Sequence, residues 1–206
     1  MTDTDRQVTG ITPIPRARQT EMPWKNGGGT TREIWKAEDS AGMLWRASIA
    51  TIHQSGPFSL FEGCDRIITL IAGNPVALDF ADGEHLTLEM FAPQTFSCDR
   101  PVSATIAGTS HDLNLIWRRD AAAVAHRAGT IHGSIAMALP PAHWHLIVAC
   151  GGTVTVDAGG RTERLEDGAA LLFGRRRDPE PLDLTLSADN GVVLAFGITE
   201  KSTPSP

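Results

Sequence analysis

Short stretches of alternating side chains set the pattern of this chain. In "LWRASIATI", Trp45, Ala47, Ile49 and Thr51 fall on one side of an extended backbone, and Arg46, Ser48, Ala50 and Ile52 fall on the other. The second face therefore begins polar and ends apolar. "RIITLIAG", "VALDF", "HLTLEMF", "VSATIAG" and "DLNLIW" continue the theme, each bounded by Gly, Pro, Asn or Asp, with no long helical periodicity between them. Regular short strands with frequent turns predict an all-β sandwich or barrel.

An internal repeat refines that expectation. Val76, Leu78 and Asp79 match Val154, Val156 and Asp157 at a constant offset; after a one-residue deletion, Gly83, Leu88, Ala92 and Phe96 match Gly160, Leu165, Ala169 and Phe173. Each copy reads strand, Gly turn, strand, Asp/Gly turn, leucine and buried strand, which resembles the central unit of a cupin. The expected architecture is an all-β bicupin: two cupin-like double-sheet β-barrels from an internal duplication, over residues 11–120 and 121–200. Residues 1–10 and 201–206 are expected to be disordered ends.

Composition narrows the partners. With 206 residues, 41% of them hydrophobic, the chain can form a real core. Lys and Arg number 18 against 24 Asp and Glu, a net charge of −6, so no positive field exists to hold a phosphate backbone, and nucleic acid is excluded as a partner. No stretch approaches the roughly 20 apolar residues of a membrane span, and the opening "MTDTDRQVTG" lacks a signal-peptide pattern. The expected compartment is the cytoplasm, without membrane association. Cys64, Cys98 and Cys150 are widely separated and form no CxxC pair, so they read as reduced, buried thiols.

Neither a metal nor another cofactor is expected. His143 and His145 share a strand face in "HWHLIVACG", but they lie immediately before a glycine turn and no carboxylate follows at ligand spacing. A zinc or iron site needs three or four convergent ligands. The pair reads instead as a strand end or a subunit contact, and a homodimer is left open.

The candidate binding chemistry lies in the first half. In "PWKNGGGTTREIW", Asn26-Gly27 is a hairpin-turn signal, yet a turn alone needs neither Gly28 nor Gly29. Either the extra glycines allow close strand packing, or their N–H groups form an anion-binding nest beside Trp24 and Lys25. Arg46 shares a strand face with Ser48; its guanidinium suits a ligand carboxylate, the alternative being a structural pair with Glu33, Asp65 or Asp112. Asp65-Arg66 reads as a capping salt bridge at the barrel rim. His111, Asp112 and Asn114 open the strand "DLNLIW", where Asp112 can hold an imidazole N–H and Asn114 can bond a ligand or the backbone.

"PWKNGGGTTREIW", "WRASIA", "GPFSLFEGCDR" and "HDLNLI", in this order, resemble the HutD/Ves family. The resemblance implies a metal-free bicupin that binds a small anionic metabolite, urocanate-like or formylglutamate-like, and regulates or buffers histidine catabolism. Two departures from the family pattern, Leu44 before the Trp-Arg pair and Glu62 before Gly63, fall beside these motifs. The candidate ligand set is Trp24, Lys25, Asn26, Gly27, Gly28, Glu33, Arg46, Ser48, Asp65, Arg66, His111, Asp112 and Asn114. No GxSxG elbow is present and Cys64 has no local nucleophile signature. A metal-independent cupin isomerase or hydrolase, drawing an acid/base pair from Glu33, His53, His111 and Asp112, is the alternative.

Overall fold

The computed structural model describes residues 10–201, and among them strands account for nearly all regular structure. β1 (Ile11–Ile14) and a single 3-10 turn (Arg16–Arg18) come first. Gln19–Asp120 then forms one compact unit. It holds β2 (Thr20–Pro23), β3 (Gly29–Asp39), β4 (Gly42–Ile52), β5 (Gly56–Pro57), β6 (Cys64–Gly73) and β7 (Val76–Phe80). β8 (His85–Leu88), β9 (Gln94–Ser97), β10 (Val102–Ile106) and β11 (Ser110–Arg118) complete it.

A second unit combines residues up to Arg18 with those from Ala121 onward. Besides β1 it holds β12 (Ala122–Ala142), β13 (Trp144–Cys150), β14 (Val154–Ala158), β15 (Arg161–Leu165), β16 (Ala170–Phe173) and β17 (Glu180–Glu200). The expected start of the first barrel at residue 11 is therefore corrected, because Ile11–Ile14 pairs antiparallel with β16. The expected disordered ends fall mostly outside the described residues. At their inner margins Gly10 accepts a bond from the Gly174 N–H and the Lys201 N–H donates to the Ala121 carbonyl, so both residues are anchored.

The first unit is a double sheet. One sheet runs β2-β3-β4-β11-β6-β9 and the other β5-β10-β7-β8. Ile52, Ile68, Leu70, Val76, Leu78, Leu88 and Val102 meet in a core drawn from both sheets. Phe80 and Phe96 pack edge to face there, with centroids 5.1 Å apart. In the second unit the order is β1-β16-β13-β17-β14-β15, with β12 along the outside of β17. Its core joins Ile131, Ile147, Leu171, Phe173, Leu186, Val193 and Ala195.

The repeated segments form hairpins in like register. Val76 lies opposite Leu88 and Asp79 opposite His85; Val154 lies opposite Leu165 and Asp157 opposite Thr162. Among the described residues no helix is long and apolar enough to cross a membrane.

Candidate functional site

Three neighbouring strands of the first unit bring polar side chains onto one face. Directly opposed residues in an antiparallel pair share a face. Along β4 and β11, Arg46 lies opposite Ile116, Ser48 opposite Asn114 and Ala50 opposite Asp112. Along β11 and β6, Ile116 lies opposite Arg66, Asn114 opposite Ile68 and Asp112 opposite Leu70. Arg46, Ser48, Arg66, Asp112 and Asn114 thereby line a single cavity of about 610 Å³, a size suited to a small molecule.

The two arginines behave differently. Arg46 Nε donates to Glu33 Oε2 at 2.7 Å, and both side chains are partly exposed. The charge of Arg46 is thus matched within the protein, as the structural alternative anticipated, although its side chain still forms part of the wall. Glu33 itself is not a lining residue. Arg66 is only 6% exposed, and its Nε has no hydrogen-bond partner. Its guanidinium carbon lies 5.2 Å from the Phe58 ring centroid, 5.9 Å from Phe61 and 5.8 Å from Phe96. Three aromatic faces stabilise a cation without neutralising it. The rim salt bridge expected for Asp65 and Arg66 is corrected: successive residues of β6 point to opposite faces, and Asp65 pairs with Arg119 at 2.8 Å.

Asp112 is the second unusual group. Asn114 Nδ2 donates to Asp112 Oδ1, leaving Asp112 Oδ2 and Asn114 Oδ1 buried without partners. Burial pushes the carboxyl up to about 7, against the opposing pull of the Asn114 amide and the Arg66 charge. Orphaned buried polar atoms are costly. Arg66 Nε, Asp112 Oδ2 and Asn114 Oδ1 belong to three residues on one cavity wall, offering a cation, a near-neutral acid and an amide carbonyl to one guest.

The glycine run belongs to the turn between β2 and β3. Trp24 N–H donates to Gly29 O, Gly27 N–H to Trp24 O at 3.0 Å and Gly28 N–H to Asn26 Oδ1 at 3.0 Å. Gly28 O accepts from the N–H groups of His53 and Gln54. With the Gly27 and Gly28 N–H groups engaged, the anion nest is corrected to a turn with close strand packing. Gly27 has φ +71°, and a Cβ on Gly29 would lie 2.3 Å from the Thr51 carbonyl oxygen. Trp24, Lys25 and Asn26 reach the cavity; Gly27 and Gly28 do not line it. Trp24 is oriented by its Nε1–H, which donates to Thr31 Oγ1 at 2.8 Å.

His111 also leaves the site: it points away from Asp112 on the next strand position, and its Nδ1 lies 3.0 Å from Thr51 Oγ1. Pro57, Phe58, Ser59 and Phe61 were missed as cavity residues. Their signal was present in "GPFSLF", whose two phenylalanines sit close in sequence to Arg66. In the second unit, His145 is 1% exposed and its Nε2–H donates to Pro140 O at 3.0 Å, while His143 Nδ1 accepts from the Glu200 N–H. Burial lowers the His145 pKa, disfavouring its cation. Among the described residues no three His, Cys, Asp or Glu side chains converge as a metal-ligand set.

The HutD family model matches residues 16–194 of this chain. Protein Ves of Citrobacter koseri is 42% identical over 118 residues, covering 54% of this chain and 62% of that protein. The match thus spans about six-tenths of the length of that relative. A conserved protein of unknown function from Pseudomonas aeruginosa PAO1 superposes with a TM-score of 0.84 at 26% identity, covering 93% of this chain and all of its own. HutD from Pseudomonas fluorescens SBW25, solved in a formate condition, gives a TM-score of 0.78 at 29% identity with the same coverages. The fold alone extends further, to a cupin 2 conserved barrel domain protein from Leptotrichia buccalis (TM-score 0.58, 8% identity, 94% of this chain and 99% of that one).

Proposed function

The chain belongs to the HutD family, and on that premise we propose that its first unit binds a small anionic metabolite and thereby regulates or buffers histidine catabolism in the cytoplasm. The observation that carries the reading is the wall of the 610 Å³ cavity, where Arg66, Asp112 and Asn114 each keep an unpartnered buried polar atom. A carboxylate at the Arg66 guanidinium would satisfy the cation with charge-assisted bonds. Lys25 at the same cavity adds positive potential, whereas Arg46 is matched by Glu33. A urocanate-like or formylglutamate-like molecule pairs such a carboxylate with an imidazole or amide, groups that complement Asp112 and Asn114. The bicupin duplication is part of the proposal, supported by the matching hairpin registers and by a common strand order.

Calorimetric titration with urocanate, N-formylglutamate and formate tests this reading. Saturable binding of one of the larger acids, weakened in Arg66→Gln and weaker for formate, is the expected result. Absence of binding by all three, with the protein folded, overturns it. One observation favours a second reading: a buried carboxyl pushed up to about 7 is suited to proton transfer near neutral pH. A metal-independent isomerase or hydrolase using Asp112 would show product by NMR that disappears in Asp112→Asn. Binding without product supports the first reading.

A further inference from the structure

Among the described residues, the second unit leaves one side of a long strand without a strand neighbour. Among the described residues β12 pairs only with β17, so one side of its backbone has no strand neighbour. Its later part, from Gly133 to Leu139, reads GSIAMAL and contains no charged residue. Met137 and Leu139 are buried in the apolar core and Ile135 packs against it. Ser134, Ala136 and Ala138 alternate with them and are exposed.

Strand edges that stay unpaired in monomers are commonly short, charged or covered. The first unit follows that rule at both corresponding edges. β10, which also pairs β7, is bordered by the two-residue β5; β4, which also pairs β11, is covered by β3 and β2. In the second unit one strand, β12, borders both halves of β17, and its register is broken between Ile131 and Gly133 and again between Leu139 and Ala142. Between those breaks lies a regular segment that itself has no charge, no proline and no strand neighbour.

We propose that a second copy of this chain covers it, pairing antiparallel along Gly133–Leu139 about a two-fold axis at Ala136. Self-pairing there sets Ser134 opposite Ala138 and Ile135 opposite Met137. Small side chains meet on the outer face, apolar ones meet on the inner face, and no charge opposes its like. Because the same residues serve both copies, the contact closes on itself as an isologous dimer. A charged peptide gains nothing from this edge, since the segment has no charge to answer it.

Light scattering during gel filtration of the intact protein at micromolar concentration is the test. Wild-type protein is expected at twice the 22.1 kDa chain mass. Ala136→Lys opposes two ammonium groups across the axis and is expected to weaken the dimer at least tenfold, with an unchanged circular dichroism spectrum. Thr87→Lys, on the exposed edge strand β8, keeps it. Independently, Ala136→Cys is expected to crosslink into a covalent dimer on mild oxidation, because Cys64, Cys98 and Cys150 are all buried. A monomeric wild type, including one whose edge amides are protected by a chain end, overturns the proposal. So does a dimer that survives Ala136→Lys, or an Ala136→Cys protein that fails to crosslink.

Discussion

The two units place opposite chemistry on the same pairing grid. In the first, Arg66 of β6 lies opposite Phe96 on one side and Ile116 on the other; in the second, His145 of β13 lies opposite Phe173 and Gly197. Stepping along the strands, Asp112 corresponds to Val193 and Asn114 to Ala195, as judged by their partners Leu70 and Ala149, then Ile68 and Ile147. One grid carries a cation, an acid and an amide around a cavity. The other carries a neutral imidazole bonded to a carbonyl and two fully buried aliphatic side chains. The comparison teaches that the scaffold does not require polar groups at the Asp112 and Asn114 positions, which Val193 and Ala195 fill in the second unit. Their presence in the first unit costs stability, which is the expected mark of a binding site.

Exchanging the chemistry at equivalent positions is the strongest way to break the comparison. Val193→Asp would bury a carboxylate among aliphatic side chains and should destabilise the protein by roughly 3–5 kcal/mol, read from the urea midpoint. Asp112→Val should leave stability equal or raised while abolishing ligand binding. If Asp112→Val costs as much as Val193→Asp, Asp112 holds the fold together and the contrast fails.

Next in size is a pH effect carried by Asp112. The Asp112 pKa is raised by burial from 3.8 to about 7, so the folded protein holds this proton more tightly than the unfolded chain. The contribution is fully present below pH about 4, is lost as pH rises to about 7, and reaches at most roughly 4 kcal/mol. Asp112→Asn should remove that decline from the stability profile, as chemical denaturation at several pH values would reveal. An unaltered pH profile would mean that Asp112 titrates normally.

Replacing the caged cation sharpens the contrast at the level of affinity. Arg66→Gln should weaken binding of the best carboxylate ligand by about 1.5–3 kcal/mol, the range for a charge-assisted bond. Arg46→Gln should weaken it less, since Glu33 already answers that guanidinium. Equal losses in calorimetry would return the anchoring role to both.

The smallest effects concern the β2–β3 hairpin, which extends the sheet beyond β4 and, among the described residues, has no counterpart in the second unit. Gly29→Ala drives a Cβ against the Thr51 carbonyl and should cost roughly 1–3 kcal/mol. Gly28→Ala, with its closest neighbour Asn26 Oδ1 at 3.3 Å, should stay within about 0.5 kcal/mol. Thermal melts of the two variants side by side would decide whether strand packing rather than loop mobility selects the glycines.

Much of the first unit was legible because its strands alternate cleanly. Arg46, Ser48 and Ala50 were read on one face of β4 and do line the cavity. Asp112 and Asn114 followed from the same parity in β11. The Asp65-Arg66 pair was misread because adjacency in sequence was taken for adjacency in space, although the strand period separates them. Gly28 was over-read because free N–H groups cannot be counted from sequence; the Asn26 side chain consumes one of them. β12 gave no clear signal, since its exposed alanines and glycines lack the polar half of an alternation. The pairing of β1 with β16 was also invisible: a four-residue strand carries too little pattern to name a partner far along the chain.

That last pairing has a consequence for biosynthesis. Ile11–Ile14 leaves the ribosome early, but Ala170–Phe173 is the strand it must meet. At roughly 5–20 residues per second the wait is on the order of ten seconds, long enough for the residues of the first unit to emerge in between. The earlier strand is thus held for the later one. A cut after Arg18 would deprive the second unit of an edge strand, so the two units, though separable on paper, are tied into one product of translation.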